Sequence, residues 1–174
     1  AAALYGAVAT GILRSISPQK LQPAELLRRL NQLVSDRRVD GRYMTVCFAT
    51  WQKARRKLRV ANAGQTQPLL WKDGRVQQLD LTGFPIGIFD DATYDEWSVK
   101  LNSGDILLFY SDGITEASNR EGVFYGSSRL KSVLAGNTHL SSANLADLIL
   151  EEVREFTQGG AITDDRTLVV MKVK

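Results

Sequence analysis

The sequence has very little of the side-chain chemistry on which many enzymes depend, with one cysteine, Cys47, and one histidine, His139. A single cysteine excludes an intrachain disulfide and a multi-cysteine zinc site. A single histidine excludes the HExxH motif of metalloproteases, and the polar stretch around His139 (GNTHLSS) is typical of a solvated side chain. The common phosphate-binding loops are also absent, because neither a P-loop nor GxGxxG occurs.

Long apolar runs and a strong net charge are missing as well. The opening segment, AAALYGAVATGILRSIS, loses its apolar character at Arg14, short of the roughly 20 residues that a membrane-spanning helix needs. A net charge of +3, with 44% hydrophobic and 24% charged residues, is ordinary for a globular protein. We therefore expect one domain over residues 1–174, with no membrane association and a cytoplasmic location.

Residue periodicity predicts an α+β fold of hairpin-connected antiparallel strands packed against helices. Apolar residues at helical spacing predict helices over Leu4–Ile16, Pro23–Val34, Leu130–Leu134 and Ala143–Phe156. β-Branched and aromatic stretches predict strands over Met44–Trp51, Gln67–Trp71, Thr93–Leu101, Ile106–Tyr110 and Thr167–Val173. The segment QKARRK predicts a basic hairpin tip, and Asp-Gly after Lys72 predicts a second hairpin turn.

Carboxylates stand at the ends of two strongly apolar strands. Asp112 follows ILLFYS, whereas Asp164 and Asp165 precede TLVVMKV. If the two strands are antiparallel neighbours, these acidic ends lie at one rim of a sheet, where a cation would relieve their repulsion. Aspartate oxygens are preferred ligands of Mg²⁺ and Mn²⁺, and Gly113 permits a sharp turn close to the ion. The alternative is an ordinary Asp-Gly turn and an ordinary strand cap.

Five blocks in order resemble the SpoIIE/RsbU-type bacterial PP2C-like (PPM) protein serine/threonine phosphatases. The family patterns are "NAGHxPxll", "G.PLGv", "L.pGD.LllyTDG", "TDGvtEa…fGxxRL" and "DDiTllv". The matching segments here are ANAGQTQPLL, TGFPIGI, LNSGDILLFYSDG, SDGITEASN with FYGSSRL, and DDRTLVVMKV.

This resemblance implies an αββα sandwich of two antiparallel sheets flanked by helices. It also implies hydrolysis of phosphoserine and phosphothreonine with two Mn²⁺ or Mg²⁺ ions and a metal-bound water. Asp112 matches the ligand of the "DG" motif and Asp164 the ligand of the "DD" motif, which makes these two the expected catalytic metal ligands. Gly113 matches the motif glycine, and Asp165 the second acid of "DD", which we expect to order the turn. Asn62, Gly64 and Gln65 fall in the "NAGH" hairpin as supporting residues.

The sequence departs from the family pattern at two places. The family begins with a "GGD" acid and then "DvSGhGxxAAL", whose aspartate bridges both metals, and Ala1-Ala2-Ala3-Leu4 matches only the tail of that motif. We therefore expect an N-terminally truncated domain with an incomplete metal site and weak activity. Gln65 stands where the family usually has histidine, and a glutamine side chain cannot titrate.

The resemblance points to a phosphorylated anti-anti-sigma (STAS-type) regulator as substrate in a bacterial partner-switching pathway. It also points to an upstream sensor or receiver domain coupled through the first two helices. Exposed sheet edges would favour a homodimer. One alternative is a non-catalytic, degenerate phosphatase fold that acts as a protein-interaction module. Another is nucleic-acid binding through Lys53, Arg55, Arg56, Lys57 and Arg59, but the more economical interpretation is a solvated hairpin tip without nucleic acid.

Overall fold

A computed structural model describes residues 2–35, 42–158 and 164–174. The chain divides into two compact units. The first combines Ala1–Gln65 with Asp80–Lys100, and the second combines Thr66–Leu79 with Leu101–Lys174. A single domain over residues 1–174 stays a prediction.

The first unit packs two helices on a three-stranded antiparallel sheet. Its helices are α1 (Ala2–Ile16) and α2 (Pro23–Ser35), and its strands are β1 (Val46–Gln52), β2 (Lys57–Ala63) and β5 (Glu96–Lys100), in the order β1-β2-β5. Pro23 opens α2, where its fixed φ suits the first turn and its missing N–H costs nothing. Leucines along α2 and small or apolar residues of β1 and β2 form the core of this unit.

A buried amide ties α2 to the loop before β5. Asn31 is fully buried, accepts a hydrogen bond from the Gly87 N–H at 2.8 Å and donates to the Phe89 carbonyl at 2.8 Å. Because a buried amide is costly unless it is hydrogen-bonded, these contacts fix the loop against the helix.

The second unit packs helices on a four-stranded antiparallel sheet with the order β4-β3-β6-β7. Its strands are β3 (Leu69–Lys72), β4 (Arg75–Gln78), β6 (Ile106–Tyr110) and β7 (Leu168–Lys172), and its helices are α3 (Asp112–Thr115), α4 (Gly126–Gly136) and α5 (Ser142–Thr157). One face of β6, with Ile106, Leu108 and Tyr110, joins the apolar faces of α4 and α5 in the core.

The predicted α+β class with two antiparallel sheets and helices is confirmed, as are both predicted hairpins. The predicted strand over Thr93–Leu101 is shorter, and the predicted Leu130–Leu134 is only the middle of α4. Helix α3 was not predicted. Among residues 2–35, 42–158 and 164–174, no helix has the length and apolar character needed to cross a membrane.

Candidate metal-binding site

The two acidic strand ends belong to adjacent strands of the second unit. Strand β6 pairs antiparallel with β7, with Tyr110 opposite Leu168 as the last pair. The pairing continues one residue further, since the Ser111 N–H donates to the Thr167 carbonyl at 3.0 Å. The segments that carry Asp112 and Asp164 therefore lie at the same rim of the sheet, as we expected for strands that are antiparallel neighbours.

Ser111 fastens the two segments to each other. Its hydroxyl donates to the Asp165 carbonyl at 2.9 Å and accepts from the Thr167 N–H at 2.9 Å. The turn before β7 is thus held through the backbone carbonyl of Asp165, whereas its carboxylate is exposed. Sequence reasoning missed the role of Ser111, because its hydroxyl binds residues 54 and 56 positions away and no local pattern marks such contacts.

Gly113 allows the closest approach between the segments. A Cβ placed on Gly113 would lie 2.4 Å from the carbonyl O of Asp165 and 3.5 Å from the carbonyl C of Asp164. Both distances describe contact with main chain, which cannot swing away as a flexible side chain would. A side chain at position 113 would therefore separate the two acidic segments.

The carboxylates of Asp112 and Asp164 make the same local hydrogen bond. Asp112 Oδ1 accepts the N–H of Gly113 at 3.0 Å, and Asp164 Oδ1 accepts the N–H of Asp165 at 2.7 Å. Both residues are exposed and form no ion pair with a described cation. Each carboxylate keeps lone pairs for a further partner, and oxygen donors of this kind suit a hard divalent ion.

The described part of the chain contains no group of three or more His, Cys, Asp or Glu side chains that would hold a metal ion. Two aspartates match the preferred ligand chemistry of Mg²⁺ and Mn²⁺ in kind, but a six-coordinate ion needs more oxygens than these two provide.

The other three predicted site residues form a closed turn after β2 in the first unit. The Asn62 side chain donates to the Gln65 carbonyl at 2.7 Å and accepts from the Gln65 N–H at 3.1 Å. Gly64 has a φ of 75°, and a Cβ there would meet Pro85 Cγ at 2.5 Å. Asn62 is 1% exposed, so its amide serves this turn, while the Gln65 side chain is half-buried.

The profile of the family described as Stage II sporulation protein E (SpoIIE) matches residues 1–174. Phosphoserine phosphatase RsbU of Bacillus subtilis (strain 168) is 24% identical over 162 residues, which cover 92% of this chain and 48% of RsbU. The chain thus spans about half the length of that relative.

Solved structures show the same fold. The SiaA-PP2C domain of Pseudomonas aeruginosa gives a TM-score of 0.84 at 21% identity, over 99% of this chain and 69% of that one. The phosphatase domain of SpoIIE from Bacillus subtilis, presoaked with Mn, gives a TM-score of 0.68 at 24% identity, over 95% and 73% of the two chains. These likenesses confirm the PP2C-like fold, and the match to the family profile along the whole sequence shows that this chain belongs to the SpoIIE family.

Proposed function

We propose that this chain belongs to a metal-dependent phosphoserine/phosphothreonine protein phosphatase, with Asp112 and Asp164 as metal ligands at the rim of the second unit. The observation that carries the proposal is the contact of Gly113 with the Asp164–Asp165 backbone, which brings two acidic segments together without an intervening side chain. Membership of the SpoIIE family and the name of the relative RsbU support phosphoester hydrolysis.

Mn²⁺ or Mg²⁺ would be held by one carboxylate oxygen from each of Asp112 and Asp164. When bound, a divalent ion lowers the pKa of a coordinated water and offsets charge that develops on a phosphoryl group. The residues of this chain have a positioning role. Gly113 keeps the segments in contact, Ser111 fixes the turn before β7, and each aspartate oxygen is oriented by the next backbone N–H.

The proposed substrate is a phosphorylated regulatory protein, and an anti-anti-sigma (STAS-type) factor of a partner-switching pathway is the specific candidate. The relative RsbU is named as a phosphoserine phosphatase, which supports the phosphoserine part of this proposal. Coupling to a sensor or receiver domain, a homodimeric state and a cytoplasmic location belong to the same proposal.

The decisive experiment measures Mn²⁺-dependent release of phosphate from a phosphoserine peptide by the gene product that carries this chain. We expect Asp112→Asn and Asp164→Asn each to remove most of the activity, because an amide oxygen lacks the charge that holds a divalent ion. Asp147→Asn, which changes an exposed aspartate on α5, is the matched control and should keep full activity. Full activity in either site variant would remove the assignment.

For the 174-residue chain alone we expect weak Mn²⁺ binding by calorimetry, because its described residues form no group of three or more His, Cys, Asp or Glu side chains that would hold the ion. The same small ligand set supports a second candidate, a non-catalytic interaction module. Under that alternative, the unsubstituted gene product would release no phosphate. Its Asp112→Asn variant would bind the partner protein with unchanged affinity. Sub-micromolar Mn²⁺ affinity of the isolated chain would contradict the expectation of an incomplete site.

A further inference from the structure

The face of the first unit's sheet that carries α2 is only partly covered by that helix. Val46, Phe48, Ala61 and Ala63 lie on this face and pack in the core with the leucines of α2. Residues that are two apart on a strand share a face of the sheet, and so do residues directly opposite each other on paired strands. The residues that continue this face toward the turn between β1 and β2 therefore follow from the register. The remainder of this face, which we call the basic shelf, consists of Thr50, Gln52, Lys57, Arg59, Ser98 and Lys100. Gln52, Ser98 and Lys100 are exposed, Thr50 and Lys57 are half-buried, and 22% of the Arg59 side chain is exposed.

Cations on the basic shelf are placed against one another. Lys57 and Lys100 are directly opposite in the β2–β5 register, and Arg59 follows Lys57 on the same face. Directly opposed residues in an antiparallel pair have Cα atoms about 4.5–5.5 Å apart, and like charges at such positions destabilise a sheet. Neither lysine has an ion pair with any described residue. The fold therefore carries an electrostatic cost here that the shelf itself does not relieve.

One acid borders the shelf, and it already has partners. Glu96 forms an ion pair with Arg59 at 3.6 Å and accepts a hydrogen bond from the Ala24 N–H in the first turn of α2 at 3.4 Å. The hairpin tip adds three exposed cations, Lys53, Arg55 and Arg56, next to Lys57. The shelf and the tip are consecutive in the β1–β2 hairpin and its partner strand, and together they contribute six cations, Lys53, Arg55, Arg56, Lys57, Arg59 and Lys100.

The chemistry of the shelf selects among anionic partners. Its remaining side chains, Thr50, Gln52 and Ser98, are small or polar, and no large exposed hydrophobic residue lies on β1, β2 or β5. Trp51 has the opposite parity and projects to the other face of the sheet. The shelf thus lacks the aromatic platform that single-stranded nucleic acid uses and the apolar wedge that anchors a protein in lipid.

Spacing on the shelf fits an extended polypeptide. Lys57 and Arg59, two positions apart on a strand, are about 6.6 Å apart along it. Alternate residues of an extended segment repeat at the same distance, so one carboxylate of such a segment would meet Lys57 and Lys100 and the next would lie beside Arg59, which it would share with Glu96. We propose that the basic shelf is a docking surface for an extended acidic segment of a partner protein. This proposal does not depend on the metal site or on catalysis.

The probe for the test is a fluorescein-labelled ten-residue peptide of alternating glutamate and serine, titrated with the 174-residue chain and followed by fluorescence anisotropy. We expect binding that weakens as NaCl is raised, since exposed charges are screened. Lys57→Glu should weaken binding about tenfold without lowering the melting temperature, because a carboxylate at position 57 faces Lys100 and ends the repulsion. Lys57→Gln should weaken it about threefold.

Lys174→Glu is the matched control, since it makes the same charge change at an exposed position in the second unit. It should change the affinity by less than about twofold, because Lys174 is not part of the shelf and its replacement changes only the net charge of the chain, which salt screens. Equal weakening by Lys57→Glu and Lys174→Glu would overturn the proposal, as would no binding of the peptide. Tighter binding of a 20-base-pair DNA or of phosphatidylserine vesicles than of the peptide, at the same salt, would also overturn it.

Discussion

Each of the two units contains a strand end at which a glycine lies against the backbone of another segment. In the first unit, a Cβ on Gly83 would lie 2.1 Å from the carbonyl O of Asn62, and in the second a Cβ on Gly113 would lie 2.4 Å from the carbonyl O of Asp165. Neither glycine has a positive φ, so close packing rather than backbone conformation requires glycine at both places.

The polar side chains next to these contacts differ. Asn62 is buried and uses both ends of its amide on Gln65. Asp112 and Asp164 are exposed, and each uses one oxygen on the next backbone N–H. An amide with both a donor and an acceptor satisfies a turn by itself, whereas a carboxylate has only acceptors and keeps capacity for a cation. The same close packing therefore stabilises a closed turn in one unit and leaves two carboxylates exposed in the other.

Replacing the glycines gives the largest expected effect and tests whether the two contacts are equivalent. We expect Gly113→Ala and Gly83→Ala each to lower the free energy of unfolding by about 3 kcal/mol, because the added methyl group collides with main chain. The measurement is urea unfolding followed by circular dichroism. Gly136→Ala is the control, since a Cβ at that position of α4 meets nothing within 4 Å. If Gly113→Ala were as stable as the control, the two acidic segments would not lie in close contact at position 113.

Replacing the amide of Asn62 by a carboxylate and the carboxylate of Asp112 by an amide should change the free energy of unfolding by different amounts. Asn62→Asp removes the hydrogen bond to the Gln65 carbonyl and buries a charge, so we expect a loss of about 2–3 kcal/mol at pH 7. Asp112→Asn keeps the acceptor for the Gly113 N–H on an exposed side chain, so we expect a change within about 0.5 kcal/mol. The comparison would fail if Asp112→Asn destabilised the metal-free chain as much as Asn62→Asp did.

Local sequence patterns predicted the strands on which both turns depend. Alternating and apolar stretches indicated β6 and β7, and the acidic residues that flank them indicated a shared rim. The contact between Gly113 and Asp165 was not predictable in the same way, because it joins residues about fifty positions apart and depends on the register of two strands. The role of Asn31 in holding the loop before β5 was not predictable either, because its partners are distant in sequence and a single asparagine among leucines gives no local signal.

Short and irregular elements account for the remaining differences. Helix α3 is a single turn, Asp112–Thr115, and it contains Gly113. Glycine has a low helix propensity, so the local sequence favours a turn over a helix. Helix α4 begins at Gly126, and its N-cap position is held by Tyr125, which makes no side-chain cap hydrogen bond, so the sequence lacks the usual Ser, Thr, Asp or Asn that would mark the start. Asp112 is the first residue of the one-turn helix α3, and the backbone of Asp164 and Asp165 contacts Gly113 of the same helix. Local sequence patterns therefore predicted the order of these acidic residues along the chain but not their local conformation.

Cys47 offers the smallest and most local test, because it lies opposite Asn62 in the β1–β2 register. The thiol is only partly buried rather than fully, but burial still raises its pKa from the ordinary 9.0 to about 11. Burial favours the neutral thiol, so this contribution to stability is fully present below pH 9 and is lost as the pH rises toward 11. Since the thiolate is the nucleophile, alkylation by iodoacetamide at pH 8 should be at least about tenfold slower than in the urea-unfolded chain, because the raised pKa leaves less of the thiol ionised. Asn62→Asp should speed this labelling by loosening the neighbouring turn, and Asp112→Asn should leave it unchanged. Labelling of the native chain at the rate of the unfolded one would show that the first unit's turn is open. The contrast between a closed turn and an exposed pair of carboxylates would then be lost.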